Sequence, residues 1–291
     1  MLVLLALIWG SSFMFIKVAV RELQPATLIL GRIGLAALVL AVVVPALVGV
    51  QETLAEVRAH WRWLVVVGLL NTAVPFWLLS WGETRVDSGL ASIIQASVPI
   101  FNALLAFGFF HDQRVTGRRL VGVFVGFAGV ALLVGAQPLG KILGALAVVG
   151  MAVCYAAGGL LVRRYLGAAR PQVVAFGTSA VAAVLVLPPG VAQAPAGFPG
   201  WETIGCVVFL GVVGTALAYL LFFSIIATAG AGYASFVTYL VPPIALAYGT
   251  IFLAEHIGAA ALGGLVLILG GVALGTGIQR RRALVPAREP T

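Results

Sequence analysis

Hydrophobic residues along the 291-residue chain fall into long runs that short polar breaks separate. Each run is close to the ~17–25 residues that a helix needs to cross a bilayer. The pattern predicts an all-α polytopic membrane protein whose spans and short loops leave no room for a soluble catalytic domain. The ten predicted transmembrane helices lie at 1–20, 26–49, 63–82, 88–110, 117–135, 139–162, 171–190, 201–224, 230–253 and 258–278.

Composition supports a membrane fold. Hydrophobic residues make up 62% of the chain and charged residues 9%, whereas a globular domain carries about 25% charged residues. The first run lacks a basic n-region and an Ala-x-Ala site, so we expect a retained span, with a cleaved signal peptide as the alternative. Cys154 and Cys206 stand alone in apolar segments and predict no disulfide framework. The three histidines have no metal-ligand spacing, so neither a metal nor another cofactor is expected.

The net charge of +8 is distributed unevenly between the two predicted membrane faces. Ten spans put both termini on one face, which collects twelve basic residues against four on the other. This asymmetry predicts cytoplasmic termini and contact with anionic lipid rather than with nucleic acid. The twelve are Arg58, Arg62, Arg114, Arg118, Arg119, Arg163, Arg164, Arg170, Arg280, Arg281, Arg282 and Arg288, and the four are Lys17, Arg21, Arg85 and Lys141. Arg32 falls within the second span, close enough to its end to snorkel.

The chain contains an internal repeat. Residues 88–107 and 231–250 are both apolar stretches with a polar stripe and a proline at the same place. The repeat predicts halves at 1–136 and 137–278, followed by a basic tail at 279–291. Five spans in each half force the second half to enter the membrane from the opposite side, as in inverted-repeat transporters. Common ancestry without a transport role is the alternative. Matched pairs include Trp9 and Tyr155, Gly68 and Gly211, Thr72 and Thr215, Ser92 and Ser235, Pro99 and Pro242, and Asp112 and Glu255.

Several motifs together carry a resemblance to a known family. The opening WGSSFMFIK, Arg32 in the next span, the paired Pro99 and Pro242 segments, and the acidic residues Asp112 and Glu255 that close them resemble the drug/metabolite transporter superfamily. Within this superfamily, the chain resembles the ten-helix branch with two EamA-type repeats. The resemblance covers nearly the whole chain. It implies export of amino acids and other small metabolites across a bacterial inner membrane. The aromatic content is similar to that of YddG-type aromatic amino-acid exporters.

The polar stripe of the fourth span is a candidate substrate surface. Ser88, Ser92, Gln95, Pro99 and Asn102 fall within an arc of roughly 80° on an ideal helix, at 100° per residue. Amides facing lipid are costly, so the stripe is expected to face protein or water. Close packing between helices is the alternative. The ninth span has a matching stripe with Ser235, Thr238, Tyr239 and Pro242, and we predict that both stripes line a central cavity, with the two prolines as kinks.

The third and eighth spans carry a second matched face. Apolar and aromatic walls with a few hydroxyls and amides suit small amphipathic ligands. Trp77 is also a candidate, although a place in the interfacial aromatic belt is its alternative. The predicted binding residues on these faces and on the first and sixth spans are Thr72 and Phe76, Thr215 and Tyr219, Trp9 and Ser12, and Tyr155.

No enzyme motif or phosphate-cradling loop is present in the sequence, so we expect a non-enzyme. The acidic residues lie at span ends or in loops, which favours facilitated or weakly coupled export. A nucleotide-sugar or sugar-phosphate exchanger is the alternative within transport, and a membrane scaffold is the alternative outside it. Glycine motifs at Gly122-x-x-x-Gly126 and Gly271-x-x-x-Gly275 predict either a homodimer face or packing within a monomer.

Overall fold

The computed structural model describes residues 1–109 and 117–276, and every regular element in these ranges is a helix. The all-α polytopic fold predicted from the sequence is confirmed. Seven helical segments are long and apolar enough to cross a membrane, and three further apolar helices are shorter. Asp112 and the predicted tail at 279–291 lie outside the described residues.

Helices occupy all ten predicted positions, and we number them α1 to α10. Their bounds are α1 Leu2–Ala19, α2 Pro25–Val48, α3 Val50–Glu83, α4 Ser88–Gln95 and Val98–Phe109, α5 Arg118–Gly135, α6 Leu139–Tyr165, α7 Pro171–Ala192, α8 Trp201–Ala229, α9 Ala231–Ala234 and Val237–Leu253, and α10 Ala259–Thr276.

Four helices depart from regular α-helix. α3 begins thirteen residues before the predicted span, and it contains a π-helical segment at Leu69–Ala73. α8 contains a matching π-helical segment at Phe209–Leu217. α4 breaks at residues 96–97, just before Pro99, and α9 breaks at residues 235–236, six residues before Pro242. Both halves of the chain therefore carry a widened third span and an interrupted fourth span.

The helices pack in pairs that respect the repeat. α2 lies against α7, and α5 lies against α10, so equivalent helices of the two halves meet. α1 packs on α9 while α6 packs on α4, and α3 packs on α6 while α8 packs on α1. Each pairing thus has a counterpart in which the halves exchange roles. This is the pattern expected for a pseudo-twofold relation between halves, and it brings α1, α3, α4, α6, α8 and α9 together around the centre.

Glycines hold α5 against α10 at very short range. A Cβ atom on Gly271 would lie 2.5 Å from both the carbonyl oxygen of Gly122 and the amide nitrogen of Gly126. Small residues allow helix backbones to approach this closely inside a membrane. Gly122 and Gly126 therefore pack within the monomer, which was one of the two predicted roles of this motif.

The two ends of the bundle differ in how they are closed. We call the end with residue 1 and the loop at 166–170 the near end, and the end with the loops at 84–87 and 254–258 the far end. At the far end, the Glu255 carboxylate accepts hydrogen bonds from Ser88 N at 2.8 Å, Ser88 Oγ at 2.9 Å and Gly89 N at 3.1 Å. The Lys17 amine donates to the carbonyl oxygens of Glu83 and Val86, each at 2.7 Å. The bonds of Glu255 join the α9–α10 loop to the start of α4, and those of Lys17 join α1 to the end of α3 and to the α3–α4 loop.

Candidate functional site

A cavity of about 320 Å³ lies where the six central helices meet. Aromatic rings form much of its wall, and hydroxyl, amide and guanidinium groups interrupt them. Both halves of the chain contribute to this wall, and Phe76 of α3 and Tyr219 of α8 occupy matched positions in the repeat. The lining residues are Trp9, Ser12, Phe13, Ile16, Arg32, Asn71, Phe76, Leu79, Gln95, Val98, Tyr155, Gly214, Thr215, Tyr219, Phe222 and Thr238.

Arg32 supplies the positive charge of this cavity. Its side chain is only 6% exposed, and its Nε donates a hydrogen bond of 3.0 Å to Thr215 Oγ1. The guanidinium carbon lies 4.1 Å from the centre of the Phe76 ring, in the geometry of a cation–π contact. The Thr215 hydroxyl in turn donates to the Leu210 carbonyl at 2.8 Å, a bond across five residues that the π-helical segment of α8 makes possible.

The expectation that Arg32 snorkels to the membrane surface is wrong. Seven residues separate it from the start of α2, which is short enough for an exposed side chain to reach a helix end. However, the side chain points inward, because α2 packs between α7 and the π-helical part of α8. Position along the chain gave no information about which face of α2 turns inward. The available signal was the charge itself, since an ionisable residue in a span is a functional candidate by default.

Gln95 lines the cavity at the end of the first half of α4. In the described part of the chain its amide makes no hydrogen bond to a neighbouring helix, so the structure offers no bond through which it would join helices. Its partner in the repeat, Thr238, lines the same cavity from α9. Gln95 and Thr238, one from each predicted polar stripe, therefore border the same cavity. Their role in substrate binding remains a prediction.

The break in α4 divides the stripe that was predicted to be continuous. Before the break, Ser88 binds Glu255, and the Ser92 hydroxyl donates to the Gly89 carbonyl at 2.7 Å. After the break, Pro99 and Asn102 line a second cavity of about 390 Å³ between α4, α5, α6 and α10. The prediction that these five residues share one helix face is thus wrong, because the break at residues 96–97 changes the direction in which the later side chains point.

Six of the predicted binding residues lie outside the central cavity, and one of them is Ser92, whose hydroxyl bonds within α4. Thr72 is buried in the π-helical segment of α3, and Trp77 lies on an exposed face, where it stacks on Trp81 at 6.2 Å. Asn102 faces the second cavity. Ser235 is exposed at the break in α9, and Tyr239 lies one turn further on.

Besides Arg32, sequence reasoning missed two polar groups near the site. Asn71 lines the cavity from the π-helical segment of α3, a feature without a recognisable sequence pattern. Glu83 is the last residue of α3, but its side chain is fully buried and its carboxylate oxygens have no hydrogen-bond partner among the described residues. The protein therefore contains a buried acidic side chain. The inference of facilitated or weakly coupled export, which assumed that all acidic residues lie at exposed span ends or in loops, loses its basis.

The fold and the cavity together define a class. A bundle of apolar helices encloses a ligand-sized space between two repeated halves, which is the plan of a secondary membrane transporter. The sequence profile of the EamA-like transporter family matches the chain twice, over residues 1–135 and 142–276. The chain belongs to this family of membrane transporters, as the resemblance implied.

Two relatives align with almost the whole chain. A probable terminal-alkyne amino-acid exporter of Streptantibioticus cattleyicolor is 30% identical over 99% of this chain and 97% of its own length. An uncharacterized transporter of Archaeoglobus fulgidus is 27% identical over 91% of this chain and 93% of its own. A solved crystal structure superimposes with a TM-score of 0.66 over 94% of both chains at 19% identity, and this likeness supports the fold alone.

Proposed function

We propose that this protein exports small amphipathic metabolites, amino acids including aromatic ones, by alternating access through the central cavity. The observation that carries the proposal is the composition of the cavity wall, where aromatic rings stand beside a few convergent polar groups. Apolar walls bind an amphipathic ligand and sparse polar groups orient it. The relative named as a probable amino-acid exporter supports the same substrate class.

The size of the cavity favours amino acids over the alternative substrates. Its volume of about 320 Å³ lies at the lower limit of the ~300–1,000 Å³ that small-molecule sites occupy. A single amino acid suits such a space better than a nucleotide sugar. Phosphate ligands also favour several basic groups, and Arg32 is the only basic residue among the described residues that line this cavity.

The difference between the two ends supports alternating access. Leu90 and Ile93 of α4 are 7% and 0% exposed at the far end. Their repeat partners on α9, Tyr233 and Phe236, are 49% and 54% exposed at the near end. Equivalent segments thus differ in packing, as expected when one end of a two-state transporter is closed. With the orientation predicted from basic residues, the closed far end faces away from the cytoplasm.

Flux through proteoliposomes tests the proposed function. The purified protein is reconstituted, and efflux of a panel of labelled amino acids is measured beside glucose 6-phosphate and UDP-glucose, with protein-free liposomes as the control. We expect efflux of amino acids with apolar or aromatic side chains. Flux of the phosphate compounds alone would support the alternative exchanger, and no flux from correctly folded protein would support a scaffold.

A further inference from the structure

Arg32 is costly to bury, and its contacts within the protein account for only part of its bonding capacity. A guanidinium has five N–H donors, and the Nε–H donor is used on Thr215. No carboxylate lies within 4 Å of the side chain in residues 1–109 and 117–276. No side-chain hydrogen bond within these ranges uses the four N–H donors of the terminal nitrogens, and the side chain borders the cavity.

The contacts of Arg32 also fix the orientation of its planar head. The bond from Nε to Thr215 holds one edge of the guanidinium, and the Phe76 ring covers one of its faces. Held in this way, the terminal nitrogens offer a fork of parallel N–H groups, the geometry that matches a carboxylate in two parallel hydrogen bonds. Low dielectric surroundings make such a pair stronger than it is in water.

We propose that Arg32 binds the carboxylate group of the exported molecule in the central cavity. The aromatic wall formed by Trp9, Tyr155, Tyr219 and Phe222 then receives the apolar side chain. The inference deepens the proposed function and rests on it, because it names the chemical group that the site requires of its substrates. A carboxylate is favoured over a phosphate group, since one guanidinium matches the charge of the former, and no second basic residue lines the described cavity.

Matched acids and amides test this assignment. L-leucine, L-phenylalanine and L-tryptophan are each compared with their carboxamides as competitors of amino-acid efflux. The same comparison is made for the amino acid of the panel that shows the highest flux. The two compounds of a pair share the side chain and the amino group and differ only at the carboxylate. We expect the parent protein to bind each acid roughly 10- to 100-fold more tightly than its amide, the effect of losing charge-assisted hydrogen bonds.

Variants of Arg32 separate substrate binding from a structural role. In Arg32→Gln, the apparent affinity for the acid should fall roughly 10- to 100-fold, while competition by the carboxamide stays near the parent value. Arg32→Lys keeps the positive charge but lacks the planar fork, so its apparent affinity for the acid should lie between that of the parent and that of Arg32→Gln. Arg85→Gln is the matched control, because Arg85 packs over Trp81 at the far end and does not line the central cavity.

The outcomes distinguish the two proposals. If the parent transports amino acids but does not prefer acids over amides, the role of Arg32 is refuted and the proposed function stands. Equal losses for acid and amide in Arg32→Gln would assign Arg32 a structural role and overturn the inference. If the parent transports none of the panel, both proposals fail. If Arg32→Gln does not fold, the ratio of the affinities for acid and amide is compared between Arg32→Lys and the parent, and an unchanged ratio would overturn the inference.

Discussion

Removing the Glu255 carboxylate should loosen the far end of the protein. This side chain accepts three hydrogen bonds from Ser88 and Gly89 at the first turn of α4, so it caps one half of the chain from a loop of the other. Hydrogen bonds to a charged group contribute about 1.5–3 kcal/mol each in favourable cases, and loss of a helix cap costs about 0.5–2 kcal/mol. The side chain is half-buried, so water replaces part of what is lost.

These values give the size of the expected effect. Glu255→Ala should cost the closed far end about 2–4 kcal/mol, because two backbone amides and one hydroxyl lose their acceptor. Glu255→Gln keeps one acceptor oxygen and should cost about half as much, roughly 1–2 kcal/mol. At about 1.4 kcal/mol per tenfold change, the population with an open far end should rise about 5- to 30-fold in Glu255→Gln and about 30- to 1,000-fold in Glu255→Ala.

Cysteine accessibility measures this population. Cys154 and Cys206 are first replaced by alanine, and Ser92→Cys then places one thiol in the buried far half of α4. The rate of its reaction with a membrane-impermeant thiol reagent should rise in the order parent, Glu255→Gln, Glu255→Ala. Glu52→Gln is the control, because Glu52 is exposed at the near end.

An unchanged labelling rate in folded Glu255→Ala protein would refute the reasoning. It would mean that the three hydrogen bonds do not limit opening of the far end. A rise of the same size in Glu52→Gln would instead point to a general effect of charge on the reagent.

Four further substitutions have defined expectations. Gln95→Leu should lower the flux of amino acids while the melting temperature stays near that of the parent; a destabilised but fully active variant would contradict a place in the binding site. Thr215→Val removes the acceptor of a buried guanidinium N–H and should lower the free energy of unfolding by about 1–3 kcal/mol in thermal or denaturant unfolding. Gly271→Ala forces a methyl group into the backbone of α5 and should cost about 1–3 kcal/mol, whereas Gly270→Ala, with open space around its Cβ position, should be neutral. Ala254 holds a left-handed backbone conformation at φ 54°, so Ala254→Gly should raise the melting temperature through about 1 kcal/mol of relieved strain, and an unchanged or lower melting temperature would contradict this reasoning.

The sequence sufficed for the fold class and the approximate positions of the helices, because long apolar runs have few stable alternatives in a membrane. It was less informative about which side of each helix faces the centre. The stripe through Ser88 and Asn102 assumed an unbroken α-helix, and the break at residues 96–97 sends its two halves to different surroundings. Arg32 was misjudged for a related reason, since helix rotation depends on packing against α7 and α8. By contrast, Gln95 and Thr238 both line the central cavity, while their role in binding remains a prediction.

The π-helical segments also lie at matched places in the two halves of the chain. A π-helical turn holds one more residue than an α-helical turn, so a later insertion into one half would have changed the spacing between matched residues. Yet Gly68 precedes Gly211 by 143 positions, and Phe76, beyond the first π-helical segment, precedes Tyr219 by the same 143. The two halves therefore carry the same number of residues between these matched pairs, so deleting a residue from one π-helical segment would break a register that both halves keep.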